Sequence, residues 1–310
     1  FEPDEFAVFE GGIETGRAFA ELPFDHLLFT GSTRVAKEVS NSAAKNLTPL
    51  TLELGGKSPA LVCPGANLKR AAERIVFGKL ANAGQICIAP DYVFVERAKF
   101  HDFIEMLQTY IKKAYPRLNN NPDYTSIISA DHFSRLNRMI EEAREDGAEI
   151  ISINPDGETL EPSARKIPPT LILRPNPTLS VMQEEIFGPI LPVLSYEKIE
   201  EAIEFVQHRA RPLALYLFTE KARERERILR ETVSGGVAVN EVLFHCVCET
   251  LPFGGVGASG MGSYHGQAGF DTFSHLKPVF IQPRFNFNFF LVPPITPMKR
   301  LFAKIFRKLV

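Results

Sequence analysis

The sequence predicts an α/β fold made of two doubly wound domains, the first of which is only partly present. Three observations predict this class. Apolar, strand-like runs alternate with amphipathic helices along most of the chain. A strand, a glycine and a helix follow one another at 26–43, which is how a doubly wound sheet begins. The 310 residues, 45% of them hydrophobic, are enough for a large core and about two domains.

Charge and cysteine content exclude several classes of function. The net charge is −2, and residues 1–284 carry 30 basic and 37 acidic side chains, so nothing indicates a nucleic-acid partner. The four cysteines (Cys63, Cys87, Cys246 and Cys248) are too few and too irregularly spaced for a disulfide framework. No apolar run reaches the length that spans a bilayer. We therefore expect a cytoplasmic protein.

The first predicted strand, at 26–30, ends at Gly31, and Ser32 begins a helix whose apolar residues recur at four-residue spacing. Free N–H groups at such a helix start, beside a glycine, can bind a phosphate. The pattern lacks the three glycines of the usual dinucleotide fingerprint, however. Taken alone, it favours a plain strand-to-helix turn with Ser32 as the N-cap.

Strands and helices continue to alternate through 54–250. A strand at 60–63, a helix at 67–80, a strand at 92–96 and a helix at 98–113 come first. Asp131 is predicted to cap the next helix, which ends just before Gly147. Further strands are predicted near 170–173, 190–194, 213–218 and 236–240, with helices near 198–207 and 221–231. This order predicts the second doubly wound domain.

Cys87 stands in a turn between the helix at 67–80 and the strand at 92–96. Gly84 permits backbone conformations that other residues avoid, and Pro90 keeps the loop out of the following strand ladder. A constrained thiol of this kind is suited to act as a nucleophile. On its own, a single cysteine in an intracellular protein is more often a small buried hydrophobe.

Glu53 ends an apolar strand and precedes two glycines. A carboxylate at the end of a buried strand is costly unless it is paired, solvated in a cleft or used in catalysis. Considered alone, an ion-paired strand end is the more frequent explanation.

Four ordered motifs resemble those of the NAD(P)-dependent aldehyde dehydrogenases. They are Leu-Glu-Leu-Gly-Gly-Lys-Ser-Pro at 52–59, Gly-Gln-Ile-Cys at 84–87, Glu-Glu-Ile-Phe-Gly-Pro at 184–189 and Pro-Phe-Gly-Gly at 252–255. Finer features at 87–92, 212–216 and 262–275 are similar to the class 3 branch, which includes fatty, aromatic and coniferyl aldehyde dehydrogenases. The resemblance covers residues from about 6 to 280.

The resemblance implies an aldehyde dehydrogenase-like fold and a defined chemistry. Cys87 would attack a small-molecule aldehyde and form a thiohemiacetal, hydride would pass to NAD or NADP, and Glu53 would activate the water that releases a carboxylic acid. The Cys87 backbone N–H would help to stabilise the oxyanion. For attack, the thiol needs either a lowered pKa or a base. A homodimer is also implied.

The resemblance further implies a set of cofactor-binding residues. Gly31, Ser32 and Ala36 would border the dinucleotide, with Ala36, where a glycine is commoner, acting through its backbone. Glu185 would hydrogen-bond the nicotinamide ribose, and Phe187 would pack near the nicotinamide ring. Which of NAD and NADP is preferred does not follow from these residues.

The same resemblance implies four regions. Residues 1–53 would be the C-terminal part of an NAD(P)-binding domain, and 54–250 the catalytic domain. Residues 251–284 would return to the cofactor and oligomerisation region, and 285–310 would form a basic tail. A further stretch, with one oxyanion-binding asparagine, is expected upstream of Phe1, so the edges of the first sheet are expected to be exposed.

His245, Cys246 and Cys248 lie close together in sequence, which invites a metal-site interpretation. Ligands at such short spacing rarely share one tetrahedral shell without distant partners, so we predict no metal. In the resembling enzymes this loop lies near the substrate tunnel. These side chains would then shape a pocket wall, with Asn240 positioning the loop.

Two alternatives to a dehydrogenase stay open at this point. One is a catalytically silent, dehydrogenase-like fragment that serves as a folding or interaction module. The other is ester hydrolysis by Cys87 and Glu53 without a cofactor.

The C-terminal residues 296–310 predict a basic amphipathic helix that starts at Thr296 and Pro297. Its length, about 21 Å, is too short to span a bilayer. Two interpretations are open: peripheral contact with a membrane surface, or docking on the enzyme or a second subunit. The predicted apolar face holds Met298, Leu301, Phe302, Ile305, Phe306 and Leu309, and the predicted polar face holds Lys299, Arg300, Lys304, Arg307 and Lys308.

Overall fold

The computed structural model describes residues 1–2, 4–286, 288–290 and 292–308. Its contacts separate two units, Phe1–Phe273 and Ser274–Val310. The strands are β1 Leu27–Gly31, β2 Leu50–Leu54, β3 Pro59–Val62, β4 Tyr92–Glu96, β5 Glu149–Ser152, β6 Thr170–Leu173, β7 Ile190–Tyr196, β8 Ala214–Phe218, β9 Gly236–Val239 and β10 Gly260–Met261. The helices are α1 Ile13–Ala20, α2 Thr33–Ala44, α3 Leu68–Leu80, α4 Phe100–Ala114, α5 Ala130–Glu145, α6 Ser180–Gln183, α7 Ile199–Gln207, α8 Ala222–Glu231, α9 Gly266–Thr272 and α10 Pro297–Phe306.

The larger sheet has the strand order β5-β6-β7-β4-β3-β8-β9. Its neighbouring strands are parallel except β5, which runs antiparallel to β6. Side chains of β3 alternate between two cores, Ala60 and Val62 on one face and Leu61 on the other. Helices α3 and α4 cover the first face, and α5 and α7 cover the second. The predicted doubly wound α/β fold is confirmed.

The smaller sheet has the order β1-β2-β10. Strands β1 and β2 are parallel, with Thr30 opposite Glu53, and β10 pairs antiparallel with β2. Helix α2 covers this sheet through Ala36, which is buried against Leu52 and Leu54. Ser32 is the N-cap of α2, as predicted, since its hydroxyl accepts from the Val35 N–H at 3.4 Å.

One predicted cap is wrong. Helix α5 begins after Ser129, whose hydroxyl accepts from the His132 N–H at 3.2 Å, and not at Asp131. Asp131 is already inside the first turn, where its negative charge complements the helix dipole instead of capping an N–H. Gly147 follows the helix end as predicted, with φ +84 and its N–H donating to the Arg144 carbonyl.

In the second unit, α10 begins as predicted, because the Thr296 hydroxyl accepts from the Lys299 N–H at 3.4 Å. Lys299 itself contradicts the predicted polar face: it is buried, and its ammonium donates to the Val292 carbonyl. Leu309, predicted on the apolar face, lies outside the described residues. Within the described ranges, no helix is both long enough and apolar enough to cross a membrane.

Candidate active site

The candidate site forms at the amino ends of three neighbouring parallel strands. Strands β3, β4 and β7 lie side by side, so the segments that enter them meet at one edge of the sheet. These segments carry Gly55 and Lys57, Cys87, and Glu185 respectively. The three motifs, far apart in sequence, therefore converge.

The Cys87 loop is held in an unusual backbone conformation. Asn82, Ala83 and Gly84 all have positive φ, of 50°, 51° and 76°. A Cβ on Gly84 would lie 2.3 Å from the Gly188 carbonyl oxygen, so only glycine fits. The loop that carries Cys87 thus packs directly on the segment that carries Glu185.

Gln85 fixes this loop from within. Its side-chain amide donates to the Ser126 and Asn82 carbonyls, each at 3.1 Å, and its oxygen accepts from the Ile128 N–H at 2.9 Å. Because Gln85 is buried and uses both ends of its amide, it ties the turn before Cys87 to the segment that precedes α5.

Glu53 lies at the end of β2 and is buried. One carboxylate oxygen, Oε2, accepts from the Thr30 hydroxyl. The other, Oε1, is buried without a hydrogen-bond partner among the described residues. A buried acceptor left unpaired is costly in free energy, and this cost makes Glu53 a candidate for a functional role.

The environment of Cys87 keeps its thiol protonated. Burial raises the pKa of Cys87 well above its ordinary value, and the nearby carboxylates of Glu53 and Glu185 raise it further. Of the two routes to a nucleophile that the sequence left open, a lowered pKa is therefore not the one found in the free protein. A neighbouring base is needed.

Glu185 packs against the two glycines that follow β2. A Cβ on Gly55 would lie 2.1 Å from its carboxylate oxygens. The pKa of Glu185 is raised to about 8, mainly by burial and by Asp91, while the Gly56 backbone N–H and Lys57 oppose the rise. Phe187 follows with φ +50, an uncommon conformation for an aromatic residue.

Two charged side chains that carried no predicted role hold the backbone on either side of Glu185. The Lys57 ammonium donates to Asp91 at 2.5 Å and to the carbonyls of Val181 and Glu184 at 2.8 and 2.9 Å. Asp91 in turn accepts from the Ile186 N–H at 3.2 Å. Both residues stand inside the resembling motifs, and a charged residue entering a buried strand was the signal that could have identified them.

Two other charged residues, the partly exposed Arg135 and the buried Lys79, complete this cluster. The Arg135 guanidinium donates to the carbonyls of Glu185 and Ile186 at 3.0 and 2.5 Å. Lys79 is buried with its nitrogen 3.7 Å from Asp91, and burial lowers its pKa to about 8. The segment at 181–187 is thus fixed by hydrogen bonds between its backbone and charged side chains.

A cavity of about 760 Å³ lies beside this segment. Its lining includes Thr33, Gly56, Lys57, Glu185 and Arg211. Thr33 is the first residue of α2, where N–H groups favour an anion, and Glu185 offers acceptors for hydroxyl groups. The size and this donor and acceptor set fit a dinucleotide cofactor.

The predicted cofactor residues differ in how they relate to this cavity. Glu185 lines it, and Thr33, which was not predicted, stands next to Ser32. The Ser32 hydroxyl accepts the cap hydrogen bond, and Ala36 is buried where α2 packs on β2, so a contact from Ala36 would involve its backbone. Gly31 ends β1 just before them, and Phe187 follows the segment of Glu185.

His245 lies in a short helical turn, Phe244–Val247, beside the rings of Tyr216 and Phe253, each with centroids 6.0 Å away. Both ring nitrogens are buried without a hydrogen-bond partner in the described chain. Within the same residues, no group of three or more His, Cys, Asp or Glu side chains could hold a metal ion. Asn240 pins the start of this loop through two hydrogen bonds with the Thr219 backbone.

Comparison with known proteins identifies the family to which the chain belongs. The model of the aldehyde dehydrogenase family matches residues 2–279. A coniferyl aldehyde dehydrogenase of a Pseudomonas species is 50% identical over 91% of this chain and 59% of its own length. Aldehyde dehydrogenase family 3 member A2 of Rattus norvegicus is 42% identical over 98% of this chain and 62% of its own length. The chain therefore spans about three fifths of these relatives.

Solved structures agree. The substrate-bound state of Staphylococcus aureus AldH superposes with a TM-score of 0.89 at 42% identity, covering 99% of this chain and 65% of that one. A Mycobacterium tuberculosis aldehyde dehydrogenase complexed with NAD+ superposes with a TM-score of 0.80 at 28% identity, covering 89% and 57%. The relatives include the coniferyl and family 3 enzymes of the class 3 branch that the motifs resemble. The chain belongs to the aldehyde dehydrogenase family.

Proposed function

We propose that this protein oxidises an aldehyde to a carboxylic acid with NAD or NADP. The observation that carries the proposal is the pairing of Cys87, a partly exposed thiol in a rigid loop, with the buried and half-unpaired carboxylate of Glu53. A thiol nucleophile beside a base is the arrangement that covalent catalysis at a carbonyl requires.

In the proposed first step, Glu53 accepts the thiol proton as Cys87 Sγ attacks the aldehyde carbon. A base is required because the pKa of Cys87 is raised. The carbonyl π electrons move to oxygen and give a thiohemiacetal, whose oxyanion the Cys87 N–H would stabilise. NAD or NADP, when bound, supplies the acceptor for the hydride that leaves this carbon. Once the thiol proton has passed from Glu53 to solvent, the carboxylate can accept a proton from the water that attacks the resulting thioester, and the Cys87 thiolate leaves.

Glu185 is proposed to accept hydrogen bonds from the nicotinamide ribose, and Phe187 to pack beside the nicotinamide ring. The backbone of Gly31, Ser32 and Ala36 is proposed to border the rest of the cofactor. The lining of the cavity by Glu185 supports this assignment.

We propose an apolar, elongated substrate, aromatic or of medium to long chain. The names of the relatives, among them coniferyl aldehyde dehydrogenases, support this class. So does the aromatic cluster of Phe253 with His245, Tyr264 and His265. His245 and Cys246 are proposed to form part of the pocket wall.

The remaining assignments concern organisation. We propose the boundaries 1–53, 54–250, 251–284 and 285–310, a homodimer, a cytoplasmic location and a peripheral membrane contact through 296–310. The separate small sheet of β1, β2 and β10 supports the first boundary.

An absorbance assay for reduced nicotinamide tests the proposed activity, with a cinnamyl-type aldehyde and NAD or NADP. We expect turnover that Cys87→Ser abolishes, because a hydroxyl is a far poorer nucleophile. A parallel ester-cleavage assay without cofactor distinguishes the alternatives. Ester cleavage without aldehyde oxidation would indicate a thiol hydrolase, and neither activity in a folded protein would indicate a silent module.

A further inference from the structure

The second unit, Ser274–Val310, has an extreme charge balance. Residues 274–310 contain seven Lys or Arg residues and no Asp or Glu. Such a segment attracts anions, and it repels a second copy of itself. Its helix α10 is where the charge and the exposed apolar side chains occur together.

One side of α10 packs against other residues of the same unit. The Phe302 ring stacks on Phe290 with centroids 4.2 Å apart. The buried Lys299 ammonium donates to the Val292 carbonyl at 2.6 Å and lies 4.1 Å from the Phe289 ring centroid. These contacts fix which face of the helix is turned outward.

The outward apolar stripe consists of Met298, Leu301 and Ile305. They are 61%, 59% and 52% exposed, and their spacing of three and four residues places them in one row. Lys304 is exposed and follows Leu301 by three residues within α10, so it borders this row, and the exposed Lys308 stands just beyond the helix end, three residues after Ile305. An apolar row edged by cations is the pattern of a helix that lies in a membrane interface.

Extending the peripheral membrane contact proposed for the tail, we propose that α10 lies flat on an anionic phospholipid surface. Met298, Leu301 and Ile305 would enter the boundary between headgroups and acyl chains, and Lys304 and Lys308 would contact lipid phosphates. Charge disfavours pairing of this unit with the same unit of a second copy, which would bring like charges together. An anionic bilayer offers both hydrocarbon for the apolar stripe and phosphate for the lysines that border it.

The buried Lys299 refines this proposal. Because its ammonium is held within the unit by a hydrogen bond to a carbonyl and by an aromatic ring, it is unavailable to lipid. Lys299 is therefore left out of the lipid-facing charge, which we assign to Lys304 and Lys308 because they border the apolar row.

Co-sedimentation of the full chain with lipid vesicles tests the proposal. We expect binding to vesicles of phosphatidylcholine mixed with phosphatidylglycerol, little binding to phosphatidylcholine alone, and weakening by salt. Lys304→Glu with Lys308→Glu should reduce the affinity by at least about tenfold. Leu301→Ser with Ile305→Ser, which leaves the charge unchanged, should reduce it by about tenfold as well.

The matched control is Lys112→Glu with Lys113→Glu, an equal charge change at exposed positions of α4. It should leave vesicle binding within about twofold, since these lysines lie outside the basic unit. Equal loss in the control, or absence of binding to anionic vesicles by a folded protein, would overturn the proposal. So would a concentration-dependent dimer that Leu301→Ser with Ile305→Ser dissociates. Aldehyde oxidation in the same variants separates this outcome from failure of the catalytic proposal, because none of these residues belongs to the candidate site.

Discussion

Gly84 in the loop of the thiol lies directly against the carbonyl oxygen of Gly188, so that a Cβ on Gly84 would be 2.3 Å from that oxygen. The two glycines bring the loop of Cys87 into contact with the segment of Glu185. Any enlargement at Gly84 must move one of these segments relative to the other.

We expect Gly84→Ala to destabilise the protein by about 2–5 kcal/mol. The positive φ accounts for about 1–2 kcal/mol and the overlap for about 1–3 kcal/mol. Gly147→Ala is the matched control, because Gly147 also has a positive φ but no atom within 4 Å of an added Cβ. It should lose only about 1–2 kcal/mol. Urea unfolding measures both, and equal losses would show that the contact with Gly188 has no energetic weight.

We expect Glu53→Gln to slow the steady-state release of acid by about 10²–10⁴-fold, because the group that activates water is removed. The first burst of reduced cofactor should also slow near neutral pH and then recover as pH rises. Loss of the neighbouring negative charge lowers the raised pKa of Cys87, so the thiolate forms in the alkaline range without Glu53.

Two measurements check this division of roles. Stopped-flow absorbance separates the burst from the steady state. Iodoacetamide alkylation of Cys87, corrected with Cys87→Ser, should shift to lower pH in Glu53→Gln. An unshifted alkylation profile would show that Glu53 does not act on the thiol.

The sequence singled out Cys87 and Glu53 through the resemblance of their motifs to a known family, since each residue considered alone favoured a structural role. It did not predict the burial of Lys79. A lysine in the last turn of a helix normally lies in solvent or complements the helix dipole. Lys79 is buried because Asp91 and the segment of Glu185 meet it from elements distant in sequence. Such tertiary contacts leave no local pattern.

Other differences have similar causes. Ser129 and Asp131 are both good capping residues, and only backbone geometry decides that Ser129 is the cap. Strand β10 has two residues and is defined by its pairing with Leu52 and Glu53, about 200 residues upstream. Helical periodicity predicted Lys299 on the polar face, because it could not reveal the Val292 carbonyl that accepts a hydrogen bond from its buried ammonium.

We expect Asp91→Asn to destabilise the protein by about 3–5 kcal/mol, because it leaves the buried ammonium groups of Lys57 and Lys79 without their anion. Glu197→Gln is the control, since it breaks an equally short but exposed ion pair with Arg97. It should cost about 0–1 kcal/mol. Urea unfolding at neutral pH measures the two losses. A loss in Asp91→Asn no greater than in the control would show that the buried cluster contributes no more than a surface pair.

We expect the affinity for NAD or NADP to increase as pH rises through about 8. The pKa of Glu185 is raised to about 8, so below that pH its carboxyl is protonated and accepts hydrogen bonds poorly from ribose hydroxyls. Above that pH, the ionised carboxylate accepts hydrogen bonds from the ribose hydroxyls without competition from its own proton. Isothermal titration calorimetry between pH 6 and 9.5 gives the cofactor affinity as a function of pH. Glu185→Gln should remove this pH dependence and hold the affinity near its low-pH value. The same slope in Glu185→Gln would assign the pH dependence to another group.

We expect a cinnamyl-type or medium-chain aldehyde to be oxidised with a higher kcat/KM than acetaldehyde. Phe244 lies about half exposed, stacked on Phe77 of α3 with centroids 6.0 Å apart, one residue before His245 in the proposed pocket wall. An elongated apolar substrate that covers this pair would gain binding energy that a two-carbon aldehyde cannot. Phe244→Ala should therefore lower kcat/KM for the longer aldehyde by about 10-fold and leave acetaldehyde within about twofold. Phe6→Ala, at an exposed phenylalanine outside the candidate site, is the control and should change neither. A preference for acetaldehyde, or an equal effect of Phe244→Ala on both substrates, would contradict an apolar, elongated pocket.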